Sequence, residues 1–350
     1  MEESPPPQVS KAIDARDERI VEAIHQVMKA CGETTDGYEA DLVTQMIQTC
    51  LRLLQEDHTL WQLKLISRAL KEMRYAYNIF NKYPHEHCVS IFGSSRTPEN
   101  HPDYISARDF SLQMASLGWM CITGAANGIM KAATEGAEVK SSFGLSIRLP
   151  FEVTSNILLE RDPKLMMFRY FFTRKLMFIS HADAFAAFPG GVGTLDELFE
   201  VLTLMQTGKA EIVPLVLIEG EEGNYWKQWE EWVKEHLLKN GWISPEDLYL
   251  YFIAASPKEA TEHILQFYKR YHSSRYVKEM LVIRMLLPIS QDHLKVLNVK
   301  FSKLVQSGEI TMSTALPEET DFLELPRLVF HHTRKDYGLL RALIDQINKG

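Results

Sequence analysis

The sequence contains few cysteines and no long apolar run. Its 350 residues include four cysteines, none with the spacing of a metal-binding motif: Cys31, Cys50, Cys88 and Cys121. We therefore expect reduced, buried thiols in a cytoplasmic protein. The longest apolar runs have about ten residues, which is too short for a helix that spans a bilayer. The first residues also lack the apolar core of a signal peptide. These absences argue against a secreted disulfide scaffold and against a membrane protein.

The chain also lacks an excess of positive charge. It has 38 Lys and Arg residues against 46 Asp and Glu residues, a net charge of −8, whereas broad nucleic-acid binding requires a basic surface. Asp and His residues do not cluster with the spacing of metal ligands. A hydrophobic content of 45% is enough for a substantial core. The composition predicts a globular protein without a nucleic-acid partner, a membrane partner, a metal or another cofactor.

The most informative stretch is a glycine-rich turn between a predicted strand and a predicted helix. The apolar run from Ala184 to Phe188 predicts a buried strand, and a helix is expected to begin near Thr194. The helix is indicated by apolar residues at helical spacing: Leu198, Val201, Leu202 and Met205. Glycines ahead of a helix N-terminus favour anion binding, because the first N–H groups have no partner within the helix. Thr194 can cap the helix or bind the anion. A tight turn with acidic capping is the alternative.

This turn resembles a known family of nucleotide hydrolases. It lacks the Lys-Ser/Thr end of a P-loop and the spacing of the dinucleotide fingerprint. The pattern Pro-Gly-Gly-x-Gly-Thr-x-x-Glu, residues 189–197, instead resembles the LOG ("lonely guy") family of nucleoside 5′-monophosphate phosphoribohydrolases, also called the lysine decarboxylase-like Rossmann family. A second family element is the pair Arg174-Lys175, upstream of the strand that leads into the turn. The resemblance implies hydrolysis of the N-glycosidic bond of AMP, a cytokinin riboside monophosphate or a related nucleotide, giving free base and ribose 5-phosphate.

Two further segments match the family and one departs from it. Residues 92–97, Phe-Gly-Ser-Ser-Arg-Thr, resemble the family's opening segment. Residues 149–152 resemble its Leu-Pro-x-Glu segment, whose glutamate contacts the substrate. The family usually has three glycines after the second strand, but here the run is Gly124-Ala125-Ala126. We expect the two added methyl groups to narrow the room for the ribose or the base.

The resemblance and the chemistry together indicate the residues of the site. Positive charge develops on the ribose as the base departs, which calls for a nearby carboxylate. Glu197 would activate water or hold the ribose hydroxyls, and Arg174 would orient the carboxylate and the sugar or assist the leaving base. The glycine turn would bind the 5′-phosphate. The expected substrate-binding residues are Gly93, Ser94, Ser95, Gly124, Glu152, Lys175, Gly190, Gly191, Val192, Gly193, Thr194, Asp196 and Thr203.

The sequence pattern divides the chain into three regions. Residues 1–83 contain three amphipathic helical stripes, including one that begins behind a Thr59 cap, and residues 84–272 alternate strand and helix. The alternation predicts an α/β fold, a Rossmann-like, doubly wound and mostly parallel sheet. Residues 273–350 are expected to form a small α+β module with its own core, joined through a polar break at residues 271–274. The apolar stripes predict a homodimer or a higher homo-oligomer.

A second function remains open. The Ala125-Ala126 departure and the C-terminal module are compatible with a catalytically slow nucleotide-binding sensor or regulatory protein. Lysine decarboxylation has no support, because pyridoxal chemistry needs a Schiff-base lysine in a recognisable cofactor site. The primary expectation is therefore an N-ribohydrolase of the AMP nucleosidase type.

Overall fold

The computed structural model describes residues 17–83, 87–148 and 158–349. The chain divides into two compact units, Met1–Glu72 and Met73–Gly350. The described part of the first unit is helical, with α1 at Glu18–Ala30, α2 at Tyr38–Arg52 and the start of α3 at Leu60–Phe80. The three predicted helices are thus confirmed. The hydroxyl of Thr59 accepts a hydrogen bond from the Gln62 N–H at 3.3 Å, as expected of a cap.

The second unit is built on a parallel sheet of seven strands within the described residues. The strands are β1 Cys88–Phe92, β2 Met120–Thr123, β3 Ser142–Ile147, β4 Leu165–Phe168, β5 Ala184–Ala187, β6 Leu215–Ile218 and β7 Phe252–Ala254. Their order in the sheet is β4-β3-β2-β1-β5-β6-β7, and every neighbouring pair is parallel. The predicted Rossmann-like fold is confirmed.

Helices cover both faces of this sheet, so its strands are buried on both sides. The helices are α4 Pro102–Ser116, α5 Ile129–Ala137, α6 Phe171–Ser180, α7 Val192–Gln206, α8 Tyr225–Trp232 and α9 Pro257–Phe267. On one face, Ile91 and Ala186 share a core with α4, α5 and α9. On the other face, Phe185 and Leu217 share a core with α7 and α8. A doubly wound arrangement results.

The C-terminal part forms an antiparallel sheet of four strands within the described residues. Its elements are β8 Tyr271–Val277, β9 Met280–Met285, α10 Gln291–Lys300, β10 Val305–Ser313, β11 Arg327–His332 and α11 Tyr337–Ile347. The sheet order is β10-β11-β9-β8. The predicted polar break at residues 271–274 is wrong, because these residues belong to β8. Their hydroxyl side chains suit a half-exposed edge strand, whose start is fixed by the Tyr271 N–H bond to Asn348 Oδ1 at 2.9 Å.

The expected separate core of residues 273–350 is also wrong. Ile283 and Phe330 of the C-terminal sheet lie in the same hydrophobic core as Leu198 and Val201 of α7. The four-stranded sheet packs one apolar face against the helices that cover the seven-stranded sheet, including α7. A chain ending at His272 would therefore remove residues that complete the core around α7.

Two of the four cysteines are buried. Cys88 in β1 and Cys121 in β2 are fully enclosed, and burial raises the pKa of Cys121 to about 12. Cys31 and Cys50 are exposed, which corrects the expectation that all four thiols are buried. Among the described residues, no helix has the length and apolar character that crossing a membrane requires.

Replacing Phe330 with alanine tests the shared core. Phe330→Ala should lower the free energy of unfolding by about 3–5 kcal/mol, because it opens a cavity in a packed interior. Amide hydrogen exchange should also accelerate in α7. The control Leu323→Ala, at a side chain that is 53% exposed, should change stability by no more than about 0.5 kcal/mol. Faster exchange confined to residues 273–349 would contradict a common core.

Candidate active site

The candidate site lies where the strand order reverses. β1 and β5 pair in parallel at the centre of the sheet, and the chain proceeds outward from β1 on one side and from β5 on the other. Ligands of open α/β sheets bind beyond the carboxyl ends of the strands at this point. The two strand ends are joined directly, since the Ser94 N–H donates to the Pro189 carbonyl at 3.1 Å. This edge brings residues 93–95 beside the glycine turn.

The glycine turn opens into helix α7 earlier than predicted. The helix begins at Val192 with Gly191 as N-cap, so Thr194 is its third residue, buried and without a capping bond. Gly190 is tightly enclosed, because a Cβ there would lie 2.1 Å from Thr194 Oγ1. Gly191, Val192 and Gly193 are exposed. The unpaired N–H groups of the first turn therefore face an open surface, which is the geometry of an anion site.

Arg174 of α6 and Glu197 of α7 face each other beside this turn. Arg174 Nη1 lies 3.5 Å from Glu197 Oε1, and the two side chains are only 11% and 18% exposed. Charge-assisted hydrogen bonds are usually about 2.7–2.9 Å long. The contact is therefore long for an ion pair. It orients the Glu197 carboxylate but leaves it able to accept further hydrogen bonds.

The surroundings of this pair shift both pKa values. Burial raises the pKa of Glu197, an effect that Arg174 and Lys175 oppose and that Asp196 and Glu200 reinforce. Burial also lowers the pKa of Arg174, and Glu197 opposes that shift. The guanidinium stays charged, because its ordinary pKa is far above neutrality. The carboxylate consequently titrates closer to neutral pH than an exposed glutamate, as a general base requires.

Three groups hold the Arg174 side chain in place. Its Nε donates to the Leu145 carbonyl at 2.7 Å, and its guanidinium lies 4.9 Å from the centre of the Phe178 ring. Gly124 lies directly alongside, since a Cβ there would stand 2.5 Å from Arg174 Nη2. Any larger residue at position 124 would displace the guanidinium. The position of Arg174 therefore explains why residue 124 is a glycine.

The two alanines that follow Gly124 pack into the protein interior. Ala125 has a positive φ of 52°, a conformation that favours glycine. Its buried methyl group faces β3, where a Cβ at Gly144 would lie 3.0 Å away. Ala126 is partly buried against the core that contains α4 and α5.

Lys175 and Asp196 are engaged with each other. Lys175 Nζ lies 2.6 Å from Asp196 Oδ2 and 2.7 Å from Glu200 Oε2. Burial alone would lower the pKa of Lys175, but its hydrogen bonds to the two carboxylates raise it. Lys175 therefore braces α6 against α7 next to the Arg174–Glu197 pair.

The remaining predicted residues are dispersed. Gly93 packs against Ile129, and Ser95 is exposed at the edge of the crevice. Thr203 lies about 9 Å beyond Glu197 along the helix axis. Thr203 lines a cavity of about 190 Å³ that is separate from the crevice at the glycine turn. Glu152 lies outside the described residues.

One contact at the turn was missed by the sequence analysis. The hydroxyl of Tyr225, at the start of α8, donates to the Gly190 carbonyl at 2.8 Å. No sequence signal marked it, because the two residues are 35 positions apart and belong to different elements.

A second cavity of about 870 Å³ lies away from this crevice. Its lining includes His87 and Asp183, which precede β1 and β5, and so it opens at the opposite ends of these strands. Glu200, one of the two carboxylates that bind Lys175, also lines this cavity. Across residues 17–83, 87–148 and 158–349, no group of three or more His, Cys, Asp or Glu side chains could hold a metal ion.

Comparisons with known proteins agree with the motifs. A family model described as possible lysine decarboxylase matches residues 122–264. The chain is 34% identical over 99 residues to a cytokinin riboside 5′-monophosphate phosphoribohydrolase of Arabidopsis thaliana, covering 28% of this chain and 44% of that protein. It is 26% identical over 156 residues to the Mycobacterium tuberculosis protein of that name, covering 44% of this chain and 81% of the relative. The chain thus spans less than half of the Arabidopsis relative.

Solved structures show a weaker likeness. The molybdenum cofactor binding protein of Rippkaea orientalis aligns with a TM-score of 0.37 at 20% identity, over 52% of this chain and 98% of that one. A molybdenum cofactor carrier protein of Chlamydomonas reinhardtii aligns with a TM-score of 0.34 at 18% identity, over 52% and 97%. Likenesses of this degree identify neither a ligand nor an activity. The family model, the curated relatives and the glycine-turn motif agree, and the central region of the chain is similar to the LOG family.

Proposed function

We propose that the protein hydrolyses the N-glycosidic bond of a nucleoside 5′-monophosphate, releasing the base and ribose 5-phosphate. The observation that carries this proposal is the buried Glu197 carboxylate, 3.5 Å from the Arg174 guanidinium and about one and a half helical turns from an open helix N-terminus. A phosphate on that N-terminus would leave the attached ribose within reach of the carboxylate. The phosphoribohydrolase names of the relatives support the same reaction.

Each of the two charged side chains has a distinct task in this proposal. Glu197 in its charged form accepts a proton from the attacking water and stabilises the positive charge that develops on the ribose. Arg174 keeps that carboxylate oriented and presents its fork to the ribose hydroxyls or to the departing base. The 5′-phosphate supplies binding energy at a distance from the reacting bond.

A nucleotide sensor is the second candidate. The 870 Å³ cavity at the opposite strand ends favours it, because a regulatory ligand needs a site apart from the crevice. A screen of nucleoside monophosphates for released base separates the two functions. A sensor would bind a nucleotide and release no base, whereas the proposed enzyme would release base and ribose 5-phosphate in equal amounts.

Substituting Glu197 tests the role of the carboxylate. Glu197→Gln keeps the size and removes the charge, so turnover should fall about a hundredfold or more. In the parent protein, activity should be lost as the pH falls through the raised pKa of Glu197, above the ordinary 4.5. The exposed, remote Glu262→Gln serves as the matched control. Near-normal turnover of Glu197→Gln would refute the assignment.

Substituting Arg174 tests whether its function needs the several N–H donors of a guanidinium or only a positive charge. Arg174→Lys retains the charge but cannot reach both the Leu145 carbonyl and Glu197, so turnover should fall about a hundredfold. Steady-state kinetics with the preferred monophosphate measure the effect. A lysine variant as active as the parent would show that only the positive charge matters.

We also propose that the protein is a homodimer or a higher homo-oligomer. Several large apolar side chains in the described part of the first unit are strongly exposed, among them Tyr38 at 73%, Leu54 at 78% and Trp61 at 69%. Surfaces of this kind mark association sites. Light scattering at micromolar concentration should give at least twice the mass of the chain, and a stable, fully active monomer would refute the proposal.

A further inference from the structure

Three consecutive carbonyl groups of the glycine turn are each held by a different partner. The Pro189 carbonyl accepts from the Ser94 N–H at 3.1 Å, and the Gly191 carbonyl accepts from the Leu195 N–H at 3.1 Å within α7. The Gly190 carbonyl between them accepts from the Tyr225 hydroxyl at 2.8 Å. Of the three, only the Gly190 carbonyl depends on a side chain.

The direction of the Gly190 carbonyl determines where the next N–H group points. A trans peptide is planar, so the carbonyl of Gly190 and the N–H of Gly191 point in opposite directions. Holding the carbonyl on Tyr225 therefore turns the Gly191 N–H away from α8. If this peptide rotated, a carbonyl oxygen would approach a bound anion in place of an N–H group and repel it.

Gly191 provides little resistance to such a rotation by itself. It is exposed, and among the described residues outside its chain neighbours and the adjoining helix backbone, no atom lies within 4 Å of the place where a Cβ would stand. A glycine in open space has access to conformations that other residues avoid. The hydrogen bond from Tyr225 is thus the side-chain hydrogen bond that constrains this peptide, in addition to the close packing of Gly190 against Thr194.

Tyr225 is itself fixed before any ligand arrives. Its backbone N–H donates to Glu219 Oε2 at 2.7 Å, and its half-buried ring packs edge-on against Trp226 with 4.8 Å between the ring centres. Trp226 is anchored in turn, since its Nε1 donates to the Ile218 carbonyl at 3.0 Å at the end of β6. These contacts hold the Tyr225 hydroxyl in a fixed position next to the glycine turn.

We propose that Tyr225 is a positioning residue for the phosphate monoester of the substrate, acting through the Gly190–Gly191 peptide. The role rests on the proposed function for the identity of the substrate, but it concerns only the phosphate. The preorganised turn favours ligands that carry a 5′-phosphate over the corresponding nucleosides. Tyr225 takes no part in breaking the glycosidic bond.

The test compares Tyr225→Phe with a matched control, Tyr251→Phe. The Tyr251 hydroxyl bonds Glu230 at 3.2 Å, away from the turn. Calorimetric titration with ribose 5-phosphate should show about five- to tenfold weaker binding for Tyr225→Phe, the effect of one lost hydrogen bond. The control should bind like the parent. With AMP, KM should rise by a similar factor while kcat stays unchanged, and adenosine, which has no phosphate, should be bound equally by all three proteins.

Two results would overturn the role of Tyr225. One is a Tyr225→Phe protein that binds ribose 5-phosphate as tightly as the parent. The other is a general loss, either a melting temperature well below that of Tyr251→Phe or an equal weakening of adenosine binding. Failure of the proposed hydrolysis gives a different pattern, because no variant would then release base while the ribose 5-phosphate titrations would still differ.

Discussion

A carboxylate and a guanidinium share one buried crevice, and much of the surrounding structure serves to keep them there. Removing both charges from water is costly unless their remaining polar atoms find partners. Arg174 meets this condition through the Leu145 carbonyl and the face of Phe178, and the absence of a side chain at Gly124 leaves it room. Glu197 meets it only in part, so its pKa is raised by burial. This imbalance is what makes Glu197 suitable for accepting a proton.

The helix that carries Glu197 is fixed from several directions. Its N-terminus is shaped by the glycine turn, which Ser94 and Tyr225 hold from two neighbouring elements. Its polar side is braced by Lys175, and its apolar side shares a core with the C-terminal sheet. The C-terminal sheet therefore supports the geometry of the crevice even though it contributes none of the candidate site residues.

Local chemistry allowed the sequence to predict the central features. Glycines ahead of apolar residues at helical spacing indicated the turn, and the apolar run from Ala184 to Phe188 indicated β5. Two edge strands were harder to predict, because the polar residues of β8 suggested a break and β4 lies between a charged segment, residues 160–164, and Arg169. Contacts between distant positions were out of reach. The Arg174 bond to Leu145 spans 29 residues and the Tyr225 bond to Gly190 spans 35, and neither leaves a local pattern.

A crystal structure of Glu197→Gln bound to intact AMP tests the proposed active site most directly. We predict the 5′-phosphate on the N-terminus of α7, against the N–H groups of residues 191–193. We also predict the glycosidic carbon beside residue 197, close enough for one water to bridge them, with the Arg174 guanidinium next to the ribose or the base. A nucleotide bound instead in the 870 Å³ cavity at the opposite ends of β1 and β5 would contradict this assignment.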